Sequence, residues 1–98
     1  GRLDRLINIP IPNKEARLDI LKIHSKNMSF DKGINFELLT SRMEGFSGAE
    51  IRAVCTEAGY FAIREDRISV TKVDFLKAVD KVKQEEKIEG EDYLRMFG

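Results

Sequence analysis

Apolar positions change their spacing several times along the chain, and each change marks an element. Residues Leu6-Ile7-Asn8-Ile9-Pro10-Ile11-Pro12 form a short, β-branched apolar run closed by two prolines. Such a run reads as extended backbone, because proline has no amide donor and disfavours helix in the residue before it. One strand cannot satisfy its own backbone groups, so the run is expected to join a sheet whose other strands lie outside these residues. At Asn13, a good N-cap, the spacing turns helical and predicts a first helix to about Met28. At about 100° per residue, Leu18, Leu21 and Met28 share one side of it, and Ala16, Ile20 and Ile23 the adjoining side. That wide arc implies packing on two surfaces.

Gly33 marks a turn, and Asn35 caps a short second helix carrying Phe36, Leu38, Leu39 and Met43, with Gly45 as its stop. The third helix has the clearest start. In Ser47-Gly48-Ala49-Glu50 the serine oxygen can accept from the N3 amide while the glutamate reaches back to the cap amide. Ile51, Val54, Cys55, Ala58, Phe61 and Ala62 then recur at three- and four-residue steps, predicting a buried stripe. Ile68-Ser69-Val70 reads as a short extended link. Thr71 to Asp74 repeats the capping pattern ahead of a fourth stripe of Phe75, Ala78, Val79 and Val82. In residues 83–98 eight of sixteen side chains are charged and Gly90 interrupts, which reads as a solvated helix end followed by a mobile tail. The expected fold is all-α, a small four-helix bundle with an orphan N-terminal extended segment. Its divisions are 1–12, the helical domain 13–83, and a charged tail 84–98.

Composition narrows the chemistry. Ninety-eight residues suffice for one core. Seventeen basic residues balance seventeen acidic ones, which argues against a nucleic-acid partner, since such binders concentrate Lys and Arg on one face. A helix-turn-helix DNA reader is disfavoured further because the third helix carries Glu50, Glu57 and Glu65. Cys55 stands alone, so no internal disulfide forms, and no Cys/His cluster suggests zinc or any other metal. Its place mid-stripe makes it a structural thiol, while Tyr60, off the stripe, reads as a surface or interface residue. No apolar run approaches the length of a bilayer span, and residues 1–5 lack a signal peptide's apolar stretch, so a soluble setting is expected.

Several segments together resemble the AAA ATPases: Gly1-Arg2-Leu3-Asp4-Arg5, Ile9-Pro10, Arg17 with Ile20-Leu21 and Ile23-His24-Ser25, and Ser47-Gly48-Ala49-Glu50. The run Val54-Cys55-Thr56-Glu57-Ala58-Gly59, followed by Ala62-Ile63-Arg64-Glu65, is similar to the proteasomal branch of that family. The resemblance covers about residues 1–83 and implies the C-terminal lid of an ATP-driven unfoldase. It also implies roles residue by residue. Arg2 matches the second arginine of the family's finger motif, acting on the γ-phosphate held by a neighbouring subunit, a task suited to a permanent planar cation. By periodicity alone His24 is a satisfied core histidine; the resemblance makes it a polar contact for ribose or adenine. Gly48 and Ala49 match the small pair beside the base, at a helix start that the capping box by itself also explains. Ile20 is a wall for the base or a core residue. Met96-Phe97-Gly98 has the hydrophobic–aromatic–any form of a proteasome-docking tail, with phenylalanine where the family usually has tyrosine.

The resemblance further implies ATP or ADP with Mg²⁺ in the parent protein and none bound to these residues alone. Implied partners are neighbouring subunits of a six-membered ring, the proteasome core particle and assembly chaperones, with no nucleic acid and no membrane, in the cytoplasm and the nucleus. The sequence contains no glycine-rich phosphate loop ending in Gly-Lys-Ser/Thr, so these residues are not expected to hydrolyse ATP by themselves.

Overall fold

A computed structural model describes the backbone of residues 11–97 and the side chains of residues 11–85. Four helices follow in order: α1 (Lys14–Ser25), α2 (Phe36–Arg42), α3 (Gly48–Arg64) and α4 (Lys72–Phe97). The described residues contain no sheet, only one isolated parallel bridge. The bundle is therefore all-α, as the periodicity predicts. The extended run at residues 6–12 lies outside the described residues except for Ile11 and Pro12.

Local chemistry sets the helix starts. Asn13 accepts from the Ala16 amide at 2.9 Å, and Asn35 accepts from the amides of Glu37 and Leu38. Ser47 and Glu50 close a full capping box, with the Ser47 amide donating to Glu50 Oε1 at 2.8 Å and the Glu50 amide to Ser47 Oγ at 3.2 Å. Thr71 and Asp74 do the same for α4. Each cap satisfies first-turn amides that have no partner within the helix. Between α2 and α3 the Phe46 amide donates to the Met43 carbonyl at 3.0 Å, with Gly45 at φ +83°. That left-handed geometry suits glycine and explains the stop. The end of α3 uses Asp66 instead, at φ +57°. The Asp66 amide donates to the Ile63 carbonyl and the Arg67 amide to the Ala62 carbonyl, the paired bonds of a left-handed helix terminus.

α3 is the centre of the bundle, packing along α4 on one side and α1 on the other, while α2 bridges α1 and α4. Ile51, Val54, Cys55, Ala58 and Ala62 of α3 are buried against Phe75, Ala78, Val79 and Val82 of α4, with Leu21, Leu39, Met43 and Phe46 completing the core. The connections also pair. The Val70 amide donates to the Ser29 carbonyl at 2.9 Å and the Asp31 amide to the Val70 carbonyl at 3.0 Å, tying the α1–α2 link to the α3–α4 link.

Three expectations change. α1 ends at Ser25, and the Met28 amide closes a turn onto the Ser25 carbonyl. Its fully buried line is Arg17, Leu21 and Ser25, with Ala16, Leu18 and Ile20 half-buried beside it; α1 packs on two neighbours, α2 and α3, but Ile23 is 68% exposed and lies outside that contact. Phe61 is only partly buried, because Arg64 and Lys77 lie over its ring at 5.6 and 5.9 Å and cover it with cations in place of core. Finally, α4 continues without a break to Phe97, whereas residues 83–98 read in sequence as a helix end giving way to a tail. Lys, Gln and Glu dominate that stretch and are good helix formers, and one glycine costs only about 1 kcal/mol.

Candidate functional site

The face that matters is the seam between α1 and α3. A β-carbon placed at Gly48 would lie 3.8 Å from Ile20 Cδ1, and one at Gly59 would lie 3.9 Å from Met28 Cε. The two helices therefore run side by side in the same sense. Small residues on α3 receive the long apolar side chains of α1 and of the turn after it.

Along this seam opens a groove of about 320 Å³. His24 and Met28 line one wall, and Arg52, Cys55, Thr56, Gly59, Tyr60 and Ile63 the other. Its lining is mostly apolar, with His24, Arg52, Thr56 and Tyr60 the polar side chains. His24 is exposed, which corrects the expectation of a histidine inside an apolar arc: α1 buries the 17-21-25 line, and His24 falls beside it on the groove edge. Tyr60 and Ile63 are exposed large side chains on the opposite rim. Cys55 is buried beneath, and burial pushes its thiol up to about 11, so it is a protonated, inert wall at neutral pH.

The residues singled out from sequence are placed as follows. Ile20 is half-buried and meets Gly48 at the upper end of the seam, one turn before His24 on α1. Gly48 is half-buried and Ala49 exposed, both in the first turn of α3, where the capping box has fixed the backbone. His24 and Arg52 line the groove, whereas Ile20, Gly48 and Ala49 are not among its lining residues; Ile20 and Gly48 meet each other one helical turn earlier on their two helices. Arg2 and Gly98 lie outside the described residues, as do the side chains of Met96 and Phe97. The described residues hold no cluster of metal-ligating side chains, and none of their helices is long and apolar enough to cross a membrane.

Arg52 carries no sequence signal of its own, and Tyr60 only that of lying off the buried stripe; that both line a groove shared with α1 is something periodicity within one helix does not reveal.

The glycine at position 59 gives a direct prediction. Gly59 sits mid-helix with room for a methyl group against Met28, so Gly59→Ala should stabilise the fold by about 0.5–1 kcal/mol. Denaturant titration measures the gain, and a loss of stability would show that α1 and α3 lie closer than described.

Comparisons with known proteins agree on the class. Residues 33–77 match the AAA+ lid domain. Over 82 residues, 84% of this chain, it is 58% identical to the 26S proteasome regulatory subunit 8 homolog of Encephalitozoon cuniculi. It is 54% identical over 86 residues, 88% of the chain, to 26S proteasome regulatory subunit 8 of Caenorhabditis elegans. Against the proteasome-activating nucleotidase of Methanothermobacter thermautotrophicus it is 49% identical over 89 residues, 91% of the chain. The matched region makes up only 21%, 21% and 22% of those three relatives' lengths.

Proposed function

We propose that this chain, which belongs to the AAA+ lid domain family, caps the nucleotide of a hexameric, ATP-dependent proteasomal unfoldase subunit. In that role it contacts the neighbouring subunit and couples hydrolysis to substrate unfolding and translocation. The observation that carries the proposal is the meeting of Ile20 with the bare backbone of Gly48 at the capped start of α3, one turn from exposed His24. Ile20 forms an apolar wall for adenine, Gly48 and Ala49 let the base approach the backbone, and His24 donates or accepts at the base or ribose. ATP or ADP with Mg²⁺ is the cofactor of the whole subunit, and the phosphate contacts come from parts of it beyond these residues. Arg2 acts in trans on the neighbour's γ-phosphate.

A change of angle between the lid and the preceding domain transmits hydrolysis into pulling. The segment Ile9-Pro10-Ile11-Pro12, leading into the Asn13 cap, is the hinge. The tail Met96-Phe97-Gly98 docks on the core particle through its aromatic ring and terminal carboxylate. The setting is the cytoplasm and the nucleus.

The test is ATP affinity of the intact ring carrying the lid. Gly48→Leu, whose side chain collides with Ile20, is expected to weaken ATP binding on the order of tenfold or more, a loss of about 1.4 kcal/mol, and His24→Ala to weaken it less. Unchanged affinity in both variants would sink the nucleotide-capping role.

A second reading is favoured by the exposed side chains of Tyr60, at 54%, and Ile63, at 66%, on the groove rim: a protein-interaction module for assembly chaperones. Tight chaperone binding that nucleotide does not alter, and that Ile63→Glu abolishes, would favour this reading over the first.

A further inference from the structure

We propose that Arg17 is a positioning residue that clasps the segment entering the bundle to the last turn of α2, so that this segment, α1 and α2 move as one body. Arg17 is 7% exposed, an unusual place for a permanent cation. Its Nε donates to the Thr40 carbonyl at 3.0 Å, across 23 residues of chain, and its Nη1 donates to the Pro12 carbonyl at 3.3 Å. Thr40 is fully buried in the final turn of α2, at the negative end of the helix, and its carbonyl accepts from the Met43 cap amide at 3.2 Å as well as from Arg17. Pro12 lies one residue before the Asn13 cap, so its carbonyl reports the direction from which the chain arrives.

The chemistry of the side chain makes this a clasp and not merely a filled space. A guanidinium holds its donors in one rigid plane, so two acceptors bound to it are fixed relative to each other. A rotation of the entering segment about the Pro12–Asn13 bonds swings the Pro12 carbonyl. The turn must then break a hydrogen bond to a buried cation or carry α2 along. An apolar residue could fill the same volume without burying a charge, and that alternative supplies no such link. If the lid reading above holds, the clasped segment is the hinge, and the clasp hands its rotation to α2. The clasp itself stands on the bundle geometry alone.

Spin labels at Ile11→Cys and Asp80→Cys, both exposed sites, report the direction of the entering segment in the full 98-residue chain. With Arg17 present the distance distribution is expected to be single and narrow. Arg17→Met keeps the aliphatic packing but removes both donors, and it should broaden and shift the distribution while helical circular dichroism persists. Arg17→Lys keeps the charge in a compact, rotating ammonium; it should broaden the distribution to a smaller extent. A folded Arg17→Met chain, or an Arg17→Lys chain, with the parent's narrow distribution overturns the clasp. Should Arg17→Met unfold, the lysine variant decides. ATP affinity of the Gly48→Leu ring is independent of this measurement, so failure of the lid reading and failure of the clasp are separable.

Discussion

Phe75→Ala is expected to cost about 3–5 kcal/mol, enough to leave the bundle unfolded or nearly so at room temperature. A domain of this size has about 5–10 kcal/mol of stability in all, and Phe75 sits where several elements meet. Its ring is fully buried on the first turns of α4. It stacks on Phe30 with centroids 5.8 Å apart, and Phe30 in turn meets Phe36 edge-on at 5.2 Å. Phe30 belongs to the bridge with Val70, so the ring supports the pairing of the two connecting links as well as the α3–α4 core. Truncation removes the buried area and leaves a cavity between backbone segments held by their own hydrogen bonds, which limits collapse. Val73→Ala, two residues away but 56% exposed, should change stability by less than about 0.5 kcal/mol. Urea titration followed by helical circular dichroism gives both values. A cost for Phe75→Ala near that of Val73→Ala would show that the aromatic cluster can close over the gap.

The contrast between those neighbouring positions illustrates which features were legible in the sequence. Phe75 and Val73 are told apart by helical periodicity once Thr71 and Asp74 mark the start of α4, and Ser47 and Glu50 do the same for α3. Caps and stripes are local: the residues that specify them lie within one or two turns. What failed to show is long-range. Arg17 reads as a polar position among apolar ones, because its acceptor at Thr40 is 23 residues away. A still longer separation in sequence hides the Phe30–Val70 bridge. Periodicity puts His24 in the apolar arc, yet it is exposed on the groove edge, because a helical wheel shows which residues share a side but not how far a neighbouring helix covers that side. For the candidate site, the small residues at the start of α3 were visible as a cap. Their contact with Ile20 depended on how two helices pack.

The contribution of Asp74 to stability should disappear in acid, over a window its partners define. Arg67 grips the Asp74 carboxylate with both terminal nitrogens, Nη1 to Oδ2 at 2.7 Å and Nη2 to Oδ1 at 2.8 Å. The Thr71 amide donates to Oδ2 as well, at 2.8 Å. Glu65 engages the same guanidinium from the solvent side, and the guanidinium's own ionisation is pushed upward by its two carboxylate partners. Arg67's hydrogen bonds, ahead of Thr71's, hold the Asp74 carboxyl at about 2, against an ordinary value of 3.8. Above about pH 5 both the folded and the unfolded chain carry the carboxylate, and the ion pair contributes in full. As the pH falls below 3.8 the unfolded chain takes up its proton first, so stability drops; by about pH 2 the folded chain is protonating too and the contribution is gone. With Asp74 1% exposed but Arg67 partly wet, the amount lost is about 1–2 kcal/mol. Asp74→Asn keeps the shape and an acceptor for the Thr71 amide but cannot ionise. The stability difference between parent and variant should therefore be flat above about pH 5 and shrink toward zero as the pH falls through 3.8 and then 2. Carboxylates other than Glu65, which shares the Arg67 guanidinium, titrate equally in both chains and cancel. A difference that stayed constant across that interval would show that the bonds to Arg67 and Thr71 do not depend on the charge of Asp74.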